Sequence, residues 1–244
     1  MTPVFHPFGD RALSVSFGEG VDAATNDAVI ELAAALETRP FVGMEEVVPT
    51  YRSLLVIFDP LLIGGAEVEA QVAARLSATT GRLGTRRRWH VPVCYGGAAA
   101  LDLDDLCAEK KLSREDLIAL HSGAEYRVYM IGFAPGFAYL GGLPERLHTP
   151  RLQKPRQLVP AGAIGIGGQQ ASVNSVAGPS GWRFIGQTPL KAFDPAREEP
   201  FLFAAGDLIR FTPVTAQDYE TLSRRLAAGE SVVAPEIVAP EERG

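Results

Sequence analysis

The feature that most constrains the fold is a run of short β-strand patterns between residues 125 and 214. Four of them read EYRVYMIGF, AIGIGG, GWRFIGQ and DLIRFTP, and glycine- and proline-rich turns separate them. Short strands at regular spacing with turn signals between them are typical of a β-barrel or a sandwich. We therefore expect the larger part of the chain to be a mostly-β domain.

The first third of the chain mixes strand and helix patterns. Strands are predicted at residues 12–17, 44–48 and 53–58, and helices at residues 22–36 and 67–76. The strand SLLVIF is expected to be largely buried. This order of strand, helix, strand, strand and helix indicates an α+β domain.

A Gly- and Arg-rich stretch at residues 81–88 is the predicted linker between the two domains. Its arginine run, Arg86 to Arg88, is interpreted as solvated. The predicted domains are an α+β domain over residues 1–84 and a mostly-β domain over residues 85–244. The second begins with a strand at residues 90–95.

Three helices are predicted within the second domain, at residues 103–109, 113–122 and 218–228. Asp102 or Asp104 could cap the first of these helices, and Ser113 could cap the second. Asp207, which precedes the strand LIRF, is interpreted as a structural turn residue.

Composition and charge exclude several classes of protein. The chain has 244 residues, a net charge of −6 and no long Lys/Arg block, which argues against nucleic-acid binding. Two cysteines do not make a disulfide framework, and neither a signal peptide nor an apolar stretch of membrane-spanning length is visible. We expect a soluble, cytoplasmic protein that does not bind a membrane.

Several standard sites have no counterpart in the sequence. No lysine follows glycine as in a P-loop, none is flanked by methionines as in a biotin-attachment site, and the histidines and cysteines lack zinc spacing. The run at residues 162–168 resembles a dinucleotide fingerprint only loosely, because no helix pattern follows it. No metal site is predicted.

The most informative stretch runs from residue 131 to residue 189 and opens with GFAPGFAYL. Glycine loses the most backbone entropy on folding, so a high density of glycines costs stability. It is typical of places where the backbone must approach a ligand closely or turn sharply. Phe133, Phe137 and Tyr139 could form a wall of a binding site. They could equally belong to the core at a tight corner of a barrel.

Two further segments offer groups that bind anions or amides. Arg151, Lys154 and Arg156 lie within six residues of one another between prolines, and arginine binds carboxylates in bidentate fashion. The loops at residues 167–174 and 178–182 supply amide, hydroxyl and backbone donors that could hold a developing oxyanion. Each segment could also be an ordinary surface loop.

Taken together, the order GFAPGFAYL, PR, KPR, VPAGAIGIGG, GPSGW, IGQTPL, FDP and GD-IRF resembles one family. It is similar to the B-subunit family of 5-oxoprolinase, also known as allophanate hydrolase subunit 1 or the Kip-type kinase inhibitors. The resemblance runs from about residue 7 to residue 211 and is sharpest at residues 132–189.

The resemblance implies an α+β N-terminal domain followed by a cyclophilin-like β-barrel. It also implies a homologous partner, the C-subunit, and a third, metal-dependent subunit. Such complexes cleave 5-oxoproline using ATP, and we expect the isolated chain to be inactive. The binding site for ATP is not identified in this sequence.

Carried over residue by residue, the resemblance implies that a small carboxylate-bearing amide binds at Phe133, Pro135, Gly136, Phe137, Tyr139, Arg151, Arg156, Gln169, Ser180, Trp182 and Gln187. Gly181 belongs to the same loop. No pattern identifies the catalytic general base, and His148 is one candidate.

The chain departs from the family pattern at three places. It has GPSGW where members often have SPGGW, and Ser172, Val173 and Asn174 stand where an Ile-Tyr-Pro segment is frequent. Gln187 replaces a frequent arginine, which removes a fixed charge and leaves the substrate open.

The Kip-type branch of the family supports a different hypothesis. In that branch the protein inhibits a sensor histidine kinase, and an exposed apolar surface would carry the interaction. A neighbouring gene for the homologous C-subunit would favour the enzyme, whereas recovery of a histidine kinase would favour the inhibitor.

Overall fold

The computed structural model describes residues 3–20, 22–79 and 84–239, and it divides into two compact units. The first contains the described residues up to Arg86, together with Ala239, and the second spans Arg87–Val238. The predicted boundary after residue 84 lies two residues before this division. Residues 81–83 of the predicted linker lie outside the described residues.

The first unit is a four-stranded antiparallel sheet with two helices. Its elements are β1 (Val4–Phe8), β2 (Ala12–Ser16), α1 (Ala23–Thr38), β3 (Met44–Pro49), β4 (Ser53–Phe58) and α2 (Gly65–Leu76). The strand order is β1-β2-β4-β3. Asp22 caps α1 by accepting a hydrogen bond from the Thr25 amide at 2.9 Å, which satisfies one free N–H of the first turn.

The core of the first unit follows the periodicity of its sequence. In β4, Leu54, Val56 and Phe58 are buried and the residues between them are only half-buried, so SLLVIF alternates instead of being buried throughout. In α1 the buried positions include Val29 and Leu36, which are seven residues, or about two helical turns, apart.

Strand β1 was not predicted, because VFHPF contains a proline and lacks clear alternation. β1 pairs only with β2 and therefore forms an edge of the sheet. Pro7 is tolerated there because an edge strand has one side on which no backbone donor is required.

The second unit contains ten strands and three α-helices. The strands are β5 (Arg86–Val93, whose first residue belongs to the first unit), β6 (Glu125–Ile131), β7 (Ala138–Gly141), β8 (Arg156–Val159), β9 (Ala163–Gly167), β10 (Gln170–Val173), β11 (Gly178–Ser180), β12 (Arg183–Gln187), β13 (Leu208–Pro213) and β14 (Glu236–Val238). The helices are α3 (Leu103–Lys110), α4 (Arg114–Ser122) and α5 (Ala216–Ala227).

Eight of these strands form one sheet in the order β12-β9-β10-β7-β6-β13-β5-β14, and β8 pairs with β11 in a separate ribbon. β13 and β5 run parallel, whereas β6, β7, β9, β10 and β12 pair with antiparallel neighbours. The amides of Cys94 and Gln187 donate to each other's carbonyls at 2.9 and 3.0 Å. These bonds connect the chain after β5 to the end of β12 and so join the sheet to itself.

The fold is therefore mixed α/β, and the second unit is mostly β with one large sheet. The strands predicted from the four quoted patterns and the helices predicted at residues 103–109, 113–122 and 218–228 are all present, with shifts of one or two residues. Ser113 caps α4 as predicted, accepting from the Asp116 amide at 3.0 Å. None of the helices in the described ranges has the length and apolar composition needed to cross a bilayer.

The arginine run does not form a solvated linker, and that prediction is wrong. All three arginines lie in β5, and each guanidinium has a carboxylate partner: Asp27 for Arg86, Asp207 for Arg87 and Glu125 for Arg88. Asp207 also accepts hydrogen bonds from Trp89 and from the Ala204 amide, both at 2.9 Å. Its predicted structural role is confirmed.

Candidate functional site

Four aromatic rings from three segments of the second unit form a continuous group, which we call the aromatic cluster: Phe133, Phe137, Tyr139 and Trp182. The ring centroid of Phe137 lies 5.7 Å from that of Phe133, 4.7 Å from that of Tyr139 and 6.0 Å from that of Trp182, each in an edge-to-face arrangement. Phe137 and Trp182 are only 2% and 5% exposed, whereas Phe133 is 76% exposed. The cluster therefore extends from the protein interior to solvent.

The loop between β6 and β7 bends sharply to bring Phe133 and Phe137 into this arrangement. Phe133 has φ +68°, a left-handed backbone conformation that residues other than glycine rarely adopt. Gly136 has φ +76°, and a Cβ atom there would lie 2.8 Å from the Phe193 Cβ and 3.0 Å from the Ala192 carbonyl oxygen. Gly136 is thus needed for chain packing, and Pro135 beside it is exposed.

Trp182 lies directly over the backbone of Gly167, at the end of β9. A Cβ atom at Gly167 would come within 2.8 Å of the indole ring, so only glycine leaves room for it. Ser180 accepts a hydrogen bond from the Trp182 amide at 3.2 Å and thereby shapes the loop that leads to the tryptophan.

Arg151 lies beside this tryptophan, with its Cζ atom 4.9 Å from the centroid of the indole. Arg151 is exposed, and within the described ranges it has neither a carboxylate partner nor a hydrogen bond from its guanidinium. Burial raises the pKa of the Tyr139 hydroxyl, and the nearby Arg151 charge opposes this shift. The cluster thus presents at its rim a cation that no carboxylate of the described residues neutralises.

Arg156 has a different environment although it follows Arg151 by only five residues, at the start of β8. Its two terminal nitrogens donate to the carboxylate of Asp102 at 3.0 and 2.7 Å, and Asp102 is 2% exposed. Because this bidentate pair compensates the charge, Arg156 is less available to a ligand carboxylate than Arg151.

Gln169 lies in the exposed turn between β9 and β10. The residue before it, Gly168, exchanges backbone hydrogen bonds with Thr149 at 3.0 and 2.7 Å. The amide of Leu152, the residue after Arg151, donates to the Gly181 carbonyl at 2.7 Å. These bonds hold the segments that carry Gln169, Arg151 and Trp182 next to one another.

Gln187 lies away from this group. It occupies the last position of β12, five residues after Trp182, so the strand separates them by about 16 Å. Its side-chain amide donates to the Ala161 carbonyl at 2.8 Å, and its backbone joins the sheet to Cys94.

His148 lies near the site in sequence, three residues before Arg151. Its Nε2 atom is 3.0 Å from the Leu143 carbonyl and must donate to it, because a carbonyl oxygen only accepts. Nδ1 is therefore the ring atom that could accept a proton in the neutral form. Its role as a general base remains a prediction.

His121 lies in the core of the second unit, and no sequence pattern singles it out. Its ring stacks on Phe211 at 4.7 Å, and its Nδ1 atom is 2.7 Å from the Tyr95 hydroxyl. Burial lowers the pKa of this imidazole to about 3. Among the described residues, no group of three or more His, Cys, Asp or Glu side chains could hold a metal ion.

The structure therefore brings the aromatic cluster, Arg151 and the turn of Gln169 together, places Arg156 in an ion pair and separates Gln187. Binding of a substrate by any of these residues remains a prediction. The sequence indicates only a helix-capping role for Asp102, because its partner Arg156 lies 54 residues further along the chain.

The chain belongs to the carboxyltransferase domain, subdomain C and D, family, which matches residues 3–203. The resemblance seen in the sequence is thereby confirmed. The chain is 39% identical over 86% of its length to the 5-oxoprolinase B-subunit of Bacillus subtilis, covering 92% of that protein. It is 54% identical over 50% of its length to the 5-oxoprolinase B-subunit of Escherichia coli O157:H7, covering 56% of that protein.

The fold is similar to that of a solved protein, TTHA0988. The TM-score is 0.77 at 33% sequence identity, over 84% of this chain. The matched region is 40% of the TTHA0988 chain, which is therefore much longer than the region it shares with this protein.

Proposed function

We propose that this chain is a subunit of an ATP-dependent, 5-oxoprolinase-type amide-processing complex and that its aromatic cluster binds a small amide bearing a carboxylate. Two relatives named as B-subunits of 5-oxoprolinase support the type of complex. The geometry beside Trp182 supports the type of ligand.

This proposal rests on where Arg151 lies and on which groups surround it. Its guanidinium lies over an indole ring at 4.9 Å while no carboxylate of the described residues neutralises it. Stacking leaves the N–H edge of a guanidinium free, and that edge matches a carboxylate with two parallel hydrogen bonds. A planar amide or lactam would lie against the rings while its carboxylate meets Arg151.

We assign carbonyl polarisation and ATP binding to the complex as a whole. Backbone donors of the loops around Gln169 and Ser180 would polarise the amide carbonyl. The glycine-rich run at residues 162–168 forms β9 and a hairpin turn instead of a strand-to-helix phosphate loop, so we propose that ATP is bound with a partner's residues. We assign no general base.

The partners we propose are a homologous C-subunit and a third, metal-dependent subunit, in a cytoplasmic complex. The chain alone would be inactive, because the aromatic cluster would provide only one wall of the site. We also propose that the self-joined sheet of the second unit is a cyclophilin-like barrel that follows an α+β domain. The Cys94–Gln187 hydrogen bonds support this arrangement.

The proposal is tested by co-expressing the chain with its homologous partner and assaying ATP-dependent turnover of 5-oxoproline. In that complex, Arg151→Ala should weaken substrate binding by about 2 kcal/mol, the value of hydrogen bonds to a charged group. This corresponds to a rise in KM of about thirtyfold. The KM for ATP should stay unchanged.

Arg146→Ala is the matched control, because Arg146 is also exposed and lies in the same region of the chain. An equal effect of the two substitutions, or full turnover by the isolated chain, would contradict the proposal. Capture of a sensor histidine kinase in place of the homologous partner would favour the inhibitor function.

A further inference from the structure

Asp102 occupies the N-cap position of α3 but does not cap that helix with its side chain. Aspartate is among the preferred N-cap residues, because its carboxylate can accept from the free amides of the first turn. Here the carboxylate points to other partners and is 2% exposed. Its burial and its orientation both require an explanation beyond helix capping.

The partners of Asp102 lie on either side of the loop that carries Trp182. The Phe184 amide donates to Oδ2 at 2.7 Å, and the Asp102 amide donates back to the Phe184 carbonyl at 2.9 Å. Arg156 donates to both carboxylate oxygens. Phe184 lies two residues after Trp182, and Arg156 pairs through β8 with Ser180, two residues before it.

We infer that the Asp102–Arg156 pair is a positioning device, which holds Trp182, and through it Arg151, in the geometry that binds the ligand. This inference rests on the proposed function of the aromatic cluster. Asp102 fixes both ends of the segment 180–184 at once. The indole between those ends then provides a fixed surface for the Arg151 guanidinium.

The energetics of buried ion pairs favour this role over a contribution to stability. Removing two charges from water offsets most of their mutual attraction, and apolar replacements are often as stable. A bidentate pair fixes the relative orientation of the two side chains, because the planar guanidinium fits the carboxylate in one orientation. Ala99 belongs to the same buried hydrophobic cluster as Phe137, Trp182 and Phe184, so the chain before Asp102 also contributes to the buried side of the aromatic cluster.

The test is a double-mutant cycle in the co-expressed complex with 5-oxoproline as substrate. Asp102→Asn keeps an acceptor for the Phe184 amide but loses the charge, and it should raise the KM about tenfold with a smaller change in kcat. Arg151→Ala should then cost less than about fivefold in the Asp102→Asn background, because Arg151 would no longer be held in place. Additive effects would overturn the inference.

Asp104→Asn is the control, since Asp104 forms a similar bidentate pair with Arg114, both distances 2.6 Å, on the exposed surface. Asp104→Asn should leave the KM unchanged, and Arg151→Ala should raise the KM as much in this background as in the wild type.

A second measurement does not depend on the substrate. The chain has two tryptophans, so 5-fluorotryptophan labelling of the full chain gives two fluorine resonances, which Trp182→Phe assigns. Asp102→Asn should shift or broaden the Trp182 resonance and leave that of Trp89 unchanged. An unchanged Trp182 resonance would overturn the inference. Lack of 5-oxoproline turnover by the complex would count against the proposed function, and the fluorine spectrum would then decide the positioning role.

Discussion

Two groups of aromatic rings in the second unit each contact a nitrogen-bearing side chain, and they differ in their access to water. Tyr95, Tyr126 and Phe211 enclose His121, whose exposed fraction is 0%, and we call this group the His121 cluster. The aromatic cluster instead leaves Phe133 in solvent and Arg151 at its rim. The same residue types therefore build a closed core in one place and an open surface in the other.

The difference shows how burial decides what such a nitrogen can do. Inside the His121 cluster the low pKa keeps the imidazole neutral at physiological pH, so it packs as a polar ring. On the aromatic cluster the Arg151 guanidinium remains accessible to solvent. An open ring group with an accessible cation is thus the better candidate for ligand binding.

The largest expected effect is the loss of stability when a buried ring is removed. It tests whether the buried end of the aromatic cluster is packed as tightly as the His121 cluster. Trp182→Ala and Phe211→Ala should each lower the free energy of unfolding by about 3–5 kcal/mol, because each removes a large buried ring. Urea denaturation measures this loss. Only Trp182→Ala should also weaken substrate binding, and equal binding losses would erase the distinction between the clusters.

The next effect is the pH dependence that arises from His121. Its folded-state pKa of about 3 lies below the value of 6.5 in an unfolded chain, so the unfolded state takes up the proton first. The free energy of unfolding should therefore fall as the pH drops from 6.5 towards 3. Between pH 7 and pH 5 the loss from this residue is about 2 kcal/mol.

Urea titrations at both pH values, compared between the wild type and His121→Phe, isolate this contribution. The variant should lose less stability on acidification. The same pH dependence in both proteins would show that His121 is not held neutral.

The smallest effect concerns the exposed end of the aromatic cluster. Phe133→Gly should raise the free energy of unfolding by up to about 1 kcal/mol, because glycine adopts the positive φ without strain. Phe201→Gly is the control: this residue is also an exposed aromatic, but it lacks a positive φ, so glycine should destabilise the protein there. Denaturation curves showing a loss at Phe133 equal to that at Phe201 would contradict the strain at Phe133.

Much of the fold could be predicted because it follows from local patterns. Alternation identified β2, glycine and proline punctuation identified the strands of the second unit, and Ser113 marked the start of α4. β1 was missed because an edge strand tolerates a proline that usually argues against a strand.

The partners of charged groups could not be predicted, because they are set by tertiary folding. Arg87 and Asp207 are 120 residues apart, and nothing near Arg87 indicates that it is paired. Arg151 and Arg156 look equivalent in the sequence, yet only one has a buried carboxylate beside it. The resemblance implies a site position for Gln187, which stands where family members often have an arginine, but an extended strand carries it away from Trp182.

The contact between Gly167 and the indole has a consequence for ligand selection. The height of Trp182 above the sheet is set by one missing methyl group, since a Cβ at Gly167 would overlap the ring. An alanine there would displace the indole from its present position. Closely related chains could therefore change the position of Trp182, and with it the shape of the site, through a residue beneath the ring.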